Sequence, residues 1–98
     1  MALTLVQYRV KPAMIEENQR LIEAVFAELA ARKPEGVKYA SLHLGEGLFC
    51  HLVDGDTTAL QALEAFKAFQ YNFEARREAP PQRNAAIMIG NHHMLAFP

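Results

Sequence analysis

The sequence predicts an α+β fold with its elements in the order β-α-β-β-α-β. Three observations point to it. Strand-like runs stand near the start, in the middle and near the end of the 98-residue chain. Two longer stretches between them repeat apolar residues at helical spacing. The two middle runs are joined only by Gly45-Glu46-Gly47, a glycine-rich link short enough for a hairpin turn. At 11.0 kDa the chain is read as one domain, residues 1–98, because halves would be too small to bury a core.

The first strand is expected over residues 3–11, where Thr4, Val6, Tyr8 and Val10 alternate with Leu5, Gln7 and Arg9. Pro12 suits a first helical turn, where a missing N–H costs nothing. A helix is expected over 13–32. Met14, Leu21, Val25 and Leu29, flanked by Ile22 and Phe26, make its apolar stripe, and Glu16, Glu17, Asn18, Glu23 and Glu28 fill much of the rest. Arg32 and Lys33 sit at the end the helix dipole favours, and Lys33-Pro34-Glu35-Gly36 is a turn by composition.

Strands over 37–44 and 48–54 then form the hairpin. Leu44 faces Leu48, and the pairs His43–Phe49, Ser41–His51 and Tyr39–Val53 follow on one face. A turn at Asp54-Gly55-Asp56 leads to Thr58, which with Gln61 has the spacing of a capping box. The second helix is expected over 59–77, with Leu60, Leu63, Phe66, Phe69 and Phe73 as its stripe, and Pro80-Pro81 beyond it as a stop. A last strand over 84–90 precedes a tail, 91–98. This order is the split βαβ, or ferredoxin-like, pattern. Right-handed crossovers place both helices on one side of a four-stranded antiparallel sheet.

Composition narrows the function classes. Hydrophobic residues at 51% and charged residues at 21% describe a soluble globular chain, neither disordered nor disulfide-stapled. A net charge of −1 gives no basic footprint for nucleic acid or an anionic membrane. No apolar run is long enough to span a bilayer, and the first ten residues lack the pattern of a secretion signal. The single cysteine, Cys50, forms no internal disulfide and suits a reducing cytoplasm.

The two sheet faces predict a homodimer. The helix-side face is expected to carry Val6, Tyr8, Val10, Ala40, Leu42, Leu44, Cys50, Leu52, Ile87 and Ile89. The other face then carries Leu5, Val37, Tyr39, Phe49, Val53 and Met88 among Gln7, Arg9, Ser41, His43 and His51. A sheet face with no helix over it should be polar, and so large an apolar patch is rarely left exposed on a monomer. A second copy packed on it by two-fold symmetry is the simplest cover.

The element order, the hairpin segment VKYASLHLGEGLFCHLVDGD and the PEG turn before it resemble the dimeric α/β-barrel superfamily. The nearest branch is the antibiotic-biosynthesis monooxygenase-like proteins, and the resemblance covers roughly residues 3–90. It implies two facing sheets, a cavity in each protomer and chemistries as different as cofactor-independent oxygenation of phenols, haem degradation and lactone isomerisation. Cofactorless oxygenases of that branch place Asn, Trp, Tyr and Arg around a phenol. Tyr71, Asn72, Arg76 and Arg77 supply some of these types, but the chain has no Trp. That absence also breaks the Asn-Trp-His set of the haem degraders.

The candidate site residues are His43, His51 and Arg9 as catalytic groups, with Gln7, Tyr39, Ser41, Phe49 and Met88 as substrate contacts. A histidine here is either a general base or an interfacial group hydrogen-bonded to Ser41, Tyr39 or the partner chain. Arg9, expected buried, either holds an anionic or phenolate oxygen or pairs with an acid across the dimer. The phenylalanine stripe reads first as core and second as a pocket wall, and Cys50 as a small buried hydrophobe. No metal or prosthetic cofactor is indicated, since no CxxC or HxxxH is present. Nor is there an RNP1-like run, a phosphate loop after the first strand, or a Gly-rich mononucleotide loop. Two functions remain open: a cofactor-independent, monooxygenase-like enzyme acting on an aromatic metabolite, and a non-catalytic module that binds a small ligand or dimerises.

Overall fold

The computed structural model describes residues 3–94. Strand β1 (Leu3–Arg9) is followed by a 3₁₀ turn (Pro12–Met14) and helix α1 (Ile15–Arg32). Strands β2 (Lys38–His43) and β3 (Leu48–Asp54) form the hairpin. Three short helices follow, α2 (Thr58–Gln61), α3 (Glu64–Gln70) and α4 (Phe73–Arg76), and then β4 (Gln82–Ala86). The strands lie in the order β2-β3-β1-β4, all antiparallel, so the fold is the expected ferredoxin-like one. Helix α1 stops where expected: Lys33 turns left-handed (φ 46°) and its N–H donates to the Leu29 carbonyl at 2.8 Å.

The hairpin has the expected register, with Tyr39 opposite Val53, Ser41 opposite His51 and His43 opposite Phe49. Its turn depends on Gly47, whose carbonyl accepts the Val10 N–H at 2.8 Å. Gly47 sits at φ +81°, and a Cβ there would lie 2.7 Å from the Val10 carbonyl oxygen.

The face the hairpin turns to the helices is the opposite of the one expected. Val6 pairs with His51 and Tyr8 with Phe49 across β1 and β3, so even-numbered β1 residues share a face with odd-numbered β3 residues. Tyr39, Ser41, His43, Phe49, His51 and Val53 therefore face the helices with Val6 and Tyr8. Ala40, Leu42, Leu44, Cys50 and Leu52 join Leu5, Gln7 and Arg9 on the outer face. Both hairpin faces are apolar, and a one-residue slip against β1 exchanges them. The aromatic face wins because it meets an aromatic helix layer: Tyr39 stacks on Phe26, and His51 meets Phe69 edge-on. The core is Tyr8, Val10, Ile22, Val25, Phe49, Leu60, Leu63 and Phe69.

The second helix is not continuous over 59–77. It breaks at Leu63, which is extended (φ −70°, ψ 136°), and again at Tyr71-Asn72, where Asn72 is left-handed (φ 59°). Other parts of the chain satisfy the freed backbone groups. The Glu28 carboxylate of α1 accepts the Ala65 N–H at 2.8 Å, and the buried Arg76 donates to the carbonyls of Phe69 and Tyr71. The start of α2 also differs: Thr57 precedes it and accepts from Gln61 at 2.9 Å, while the Asp56 carboxylate takes the Thr58 N–H and hydroxyl. Strand β4 runs from Gln82 to Ala86 instead of over 84–90. Ala86 pairs with Leu3, the first of the described residues. Beyond Ala86, Ile87 and Ile89 are 89% and 99% exposed, so neither is buried under the helices as expected. The end of the tail, 95–98, lies outside the described residues.

Candidate functional site

A chain of polar side chains runs through the layer between sheet and helices, with His51 at its centre. His51 is 5% exposed. Its Nε2 lies 2.7 Å from the Tyr8 hydroxyl, and its Nδ1 lies 2.6 Å from Ser41 Oγ and 3.0 Å from the Tyr39 hydroxyl. Asn18 of α1, fully buried, donates Nδ2 to the Tyr8 oxygen at 3.1 Å and accepts Arg76 Nε at 3.0 Å. The sequence Ser41/Tyr39, His51, Tyr8, Asn18, Arg76 thus links three strands and helices to one guanidinium.

Burial sets the protonation states. It pushes the His51 imidazole down to about 4, so the ring is neutral at physiological pH. It raises both tyrosine hydroxyls, so Tyr8 and Tyr39 stay protonated. Desolvation pulls the Arg76 guanidinium down from its ordinary value, yet an arginine that donates three hydrogen bonds and lies over the rings of Phe69 and Phe73 stays a cation. A neutral imidazole has one donor and one acceptor, so its two tautomers send the proton either toward Tyr8 or toward Ser41 and Tyr39. Either tautomer leaves one ring nitrogen able to accept from a neighbouring hydroxyl.

This floor opens on a cavity of about 150 Å³ between the sheet and helices α2 to α4. Val6, Val53, Leu60, Phe66, Phe69 and Phe73 form its apolar walls; Tyr8, Tyr39 and His51 present their rings; Thr57, Gln61, Gln70 and Arg83 are its other polar lining. An apolar pocket with a few convergent polar groups is the usual form of a small-molecule site.

The structure separates the residues predicted from sequence. His51, Tyr39 and Ser41 come together at the cavity floor. His43 is exposed on the same sheet face, stacked on Phe49 at 4.4 Å, and its Nε2 accepts the Gly47 N–H at 3.1 Å. Phe49 is buried against Tyr8. Arg9 is exposed, not buried, and donates to the Glu46 carbonyl at 2.7 Å. With Gln7 it borders a separate surface depression beside Leu48 and Pro80. Met88 follows β4, half-buried. Of the helix residues weighed, Tyr71 and Asn72 are exposed and Arg76 is buried. Cys50 is buried on the outer sheet face, and burial raises its thiol. Among the described residues no three His, Cys, Asp or Glu are grouped to hold a metal ion. Nor is any helix among the described residues long and apolar enough to cross a membrane.

Three contributors were not among the candidate site residues: Tyr8, Asn18 and Arg76, the last weighed only through the family resemblance. Asn18 carried a visible signal, since position 18 lies four residues before Ile22 and seven before Val25, on the buried stripe. The resemblance pointed to Arg76, but its burial could not be read from the helical pattern because it follows the break at Tyr71-Asn72.

No protein-family model matches the chain, and no curated relative matches its sequence. Solved structures do. A candidate antibiotic biosynthesis monooxygenase from Bacteriodes thetaiotaomicron matches with a TM-score of 0.73 at 13% identity, over 97% of this chain and 95% of that one. This is the fold of the antibiotic biosynthesis monooxygenase-like proteins. A point mutant of SnoaB, a cofactor-independent oxygenase from Streptomyces nogalater, matches with a TM-score of 0.62 at 14% identity, over 92% and 94% of the two chains. A conserved protein from Methanosarcina mazei gives 0.67 at 19% identity, over 88% and 91%. At such identities the likeness is one of fold.

Proposed function

We propose that this chain binds an aromatic metabolite in the cavity between its sheet and helices α2 to α4, and acts on it as a cofactor-independent, monooxygenase-like enzyme. The observation that carries this reading is the neutral His51, flanked by two tyrosine hydroxyls, on the floor of an otherwise apolar cavity. A ring seated among Phe66, Phe69 and Phe73 brings its hydroxyl to Tyr8 or Tyr39. His51 accepts the proton through that hydroxyl, leaving an electron-rich anion that dioxygen oxidises; one oxygen atom enters the substrate and the other leaves as water, the substrate supplying the electrons. The Arg76 cation, reached through Asn18, favours negative charge on the Tyr8 oxygen. Support for oxygenase chemistry comes from the fold shared with SnoaB.

The same reading includes a homodimer in a reducing, cytoplasmic setting. Leu42 and Leu44, 59% and 54% exposed in the single chain, stand with Leu5, Leu48 and Leu52 on the outer face, and a second copy covers them. The residues differ from those expected from sequence, with Gln7 and Arg9 sharing the face as expected.

The test is oxygen uptake with a panel of monocyclic phenols and hydroquinols, with binding followed by calorimetry. Replacing His51 by Gln should lower turnover at least ~100-fold, the usual worth of a general base. Unchanged turnover rejects the mechanism. The second reading, a non-catalytic ligand-binding or dimerisation module, is favoured by one observation: protein groups already satisfy both His51 ring nitrogens. It predicts phenol binding with no oxygen uptake.

A further inference from the structure

Arg83 stands apart from the other polar groups of the cavity lining. It is the one charged side chain there, it is exposed, and no acidic side chain pairs with it among the described residues. Its neighbours Thr57, Gln61 and Gln70 are neutral. The sheet register puts it in line with the floor, because Ser41, His51, Val6 and Arg83 form one row across the four strands. Val6 alone separates His51 from Arg83, so their Cα atoms are roughly 10 Å apart at the usual strand spacing. Both side chains rise on the helix-facing side.

From this arrangement we infer that the ligand is a single-ring aromatic acid carrying a ring hydroxyl, a hydroxybenzoate-class molecule whose carboxylate is held by Arg83 while its hydroxyl reaches His51 and Tyr8. The inference rests on the proposed site and adds its substrate class. Size agrees, since a cavity of about 150 Å³ is the volume known to accept one benzene ring. Two side chains projecting from points so close leave room for one ring between them and exclude a fused polycycle lying the same way. Charge agrees as well. An exposed guanidinium lining an apolar cavity, with no acidic side chain paired to it among the described residues, is suited to bidentate binding of a carboxylate, while the apolar walls bury the ring and the floor hydroxyls take the phenol.

The experiment is calorimetric titration of the intact chain with 4-hydroxybenzoate, its uncharged counterpart 4-hydroxybenzamide, and phenol. The acid should bind about tenfold tighter than the amide, with the preference shrinking as salt is raised. Arg83→Gln should abolish the preference for the acid over the amide; Arg83→Lys should keep part of it. The position is exposed, and a circular dichroism spectrum matching that of the parent confirms the variants' fold. Amide and acid binding equally, or a preference that survives Arg83→Gln, overturns the assignment of Arg83 while the cavity stands. If none of the three probes binds, the cavity reading falls and this inference with it.

Discussion

The neutral, buried His51 makes stability depend on pH in a calculable way. Its imidazole has an ordinary value near 6.5, and burial pushes it down to about 4 in the folded chain. Between these values the unfolded chain binds a proton that the folded chain refuses. Stability from this group is therefore fully present above pH 6.5 and is lost as pH falls toward 4. At 1.36 kcal/mol per pKa unit, lowering the pH from 7 to 4.5 should remove about 2 kcal/mol through His51 alone. Carboxylates titrate in the same range, so the measurement is a comparison. Urea unfolding of the parent and of His51→Gln at pH 7 and 4.5 isolates the histidine: the pH-dependent loss should be about 2 kcal/mol larger in the parent. Tyr8, Tyr39, Ser41 and the Phe69 ring face the imidazole, and none of them titrates in this range. Equal pH dependence in the two proteins would mean that His51 is solvated or paired with an acid, and the account of a dry neutral relay would be wrong.

Other outcomes follow from particular contacts. Asn18→Ala removes the bonds to Tyr8 and Arg76 from a fully buried position and should cost about 3 kcal/mol in chemical unfolding; a loss below about 1 kcal/mol would show that the two partners do not depend on it. Gly47→Ala should cost about 2 kcal/mol or more, since φ +81° is left-handed and the Val10 carbonyl blocks the new methyl. Gly45→Ala, at φ +97° with open space around it, should cost less, and the reverse order would contradict the turn geometry. Native mass spectrometry should find a dimer of about 22 kDa, twice the 11.0 kDa chain. Leu42→Glu on the outer face should dissociate it without unfolding the protomer, and a parent monomer would remove the case for paired sheets.

The parts of the fold readable in the sequence are those set by local chemistry. The hairpin register followed from two alternating runs and a three-residue glycine link, and α1 from a single apolar stripe with a stop at Lys33. What the sequence left hidden depended on distant parts of the chain. The hairpin face was ambiguous because Tyr39, Phe49 and Val53 compete with Ala40, Leu42 and Leu52 for the interior, and only pairing with β1 decides between them. The breaks in the second helix become affordable through Glu28 and Arg76, whose partners are 37 residues and five to seven residues away. The candidate site inherits this division. His51, Tyr39 and Ser41 were legible as one cross-strand cluster, whereas the link from His51 through Tyr8 to Asn18 and Arg76 became visible only once the hairpin face was known.

The central claim, that His51 on the cavity floor meets an aromatic ligand, is tested most directly by ¹⁵N NMR of the four histidine rings during titration with 4-hydroxybenzoate. The account predicts that His51 starts as a neutral ring at pH 7 and that its signals move saturably with ligand, while those of His43, His92 and His93 stay in place. Saturable binding that leaves the His51 ring unmoved, or that moves His43 instead, would contradict it.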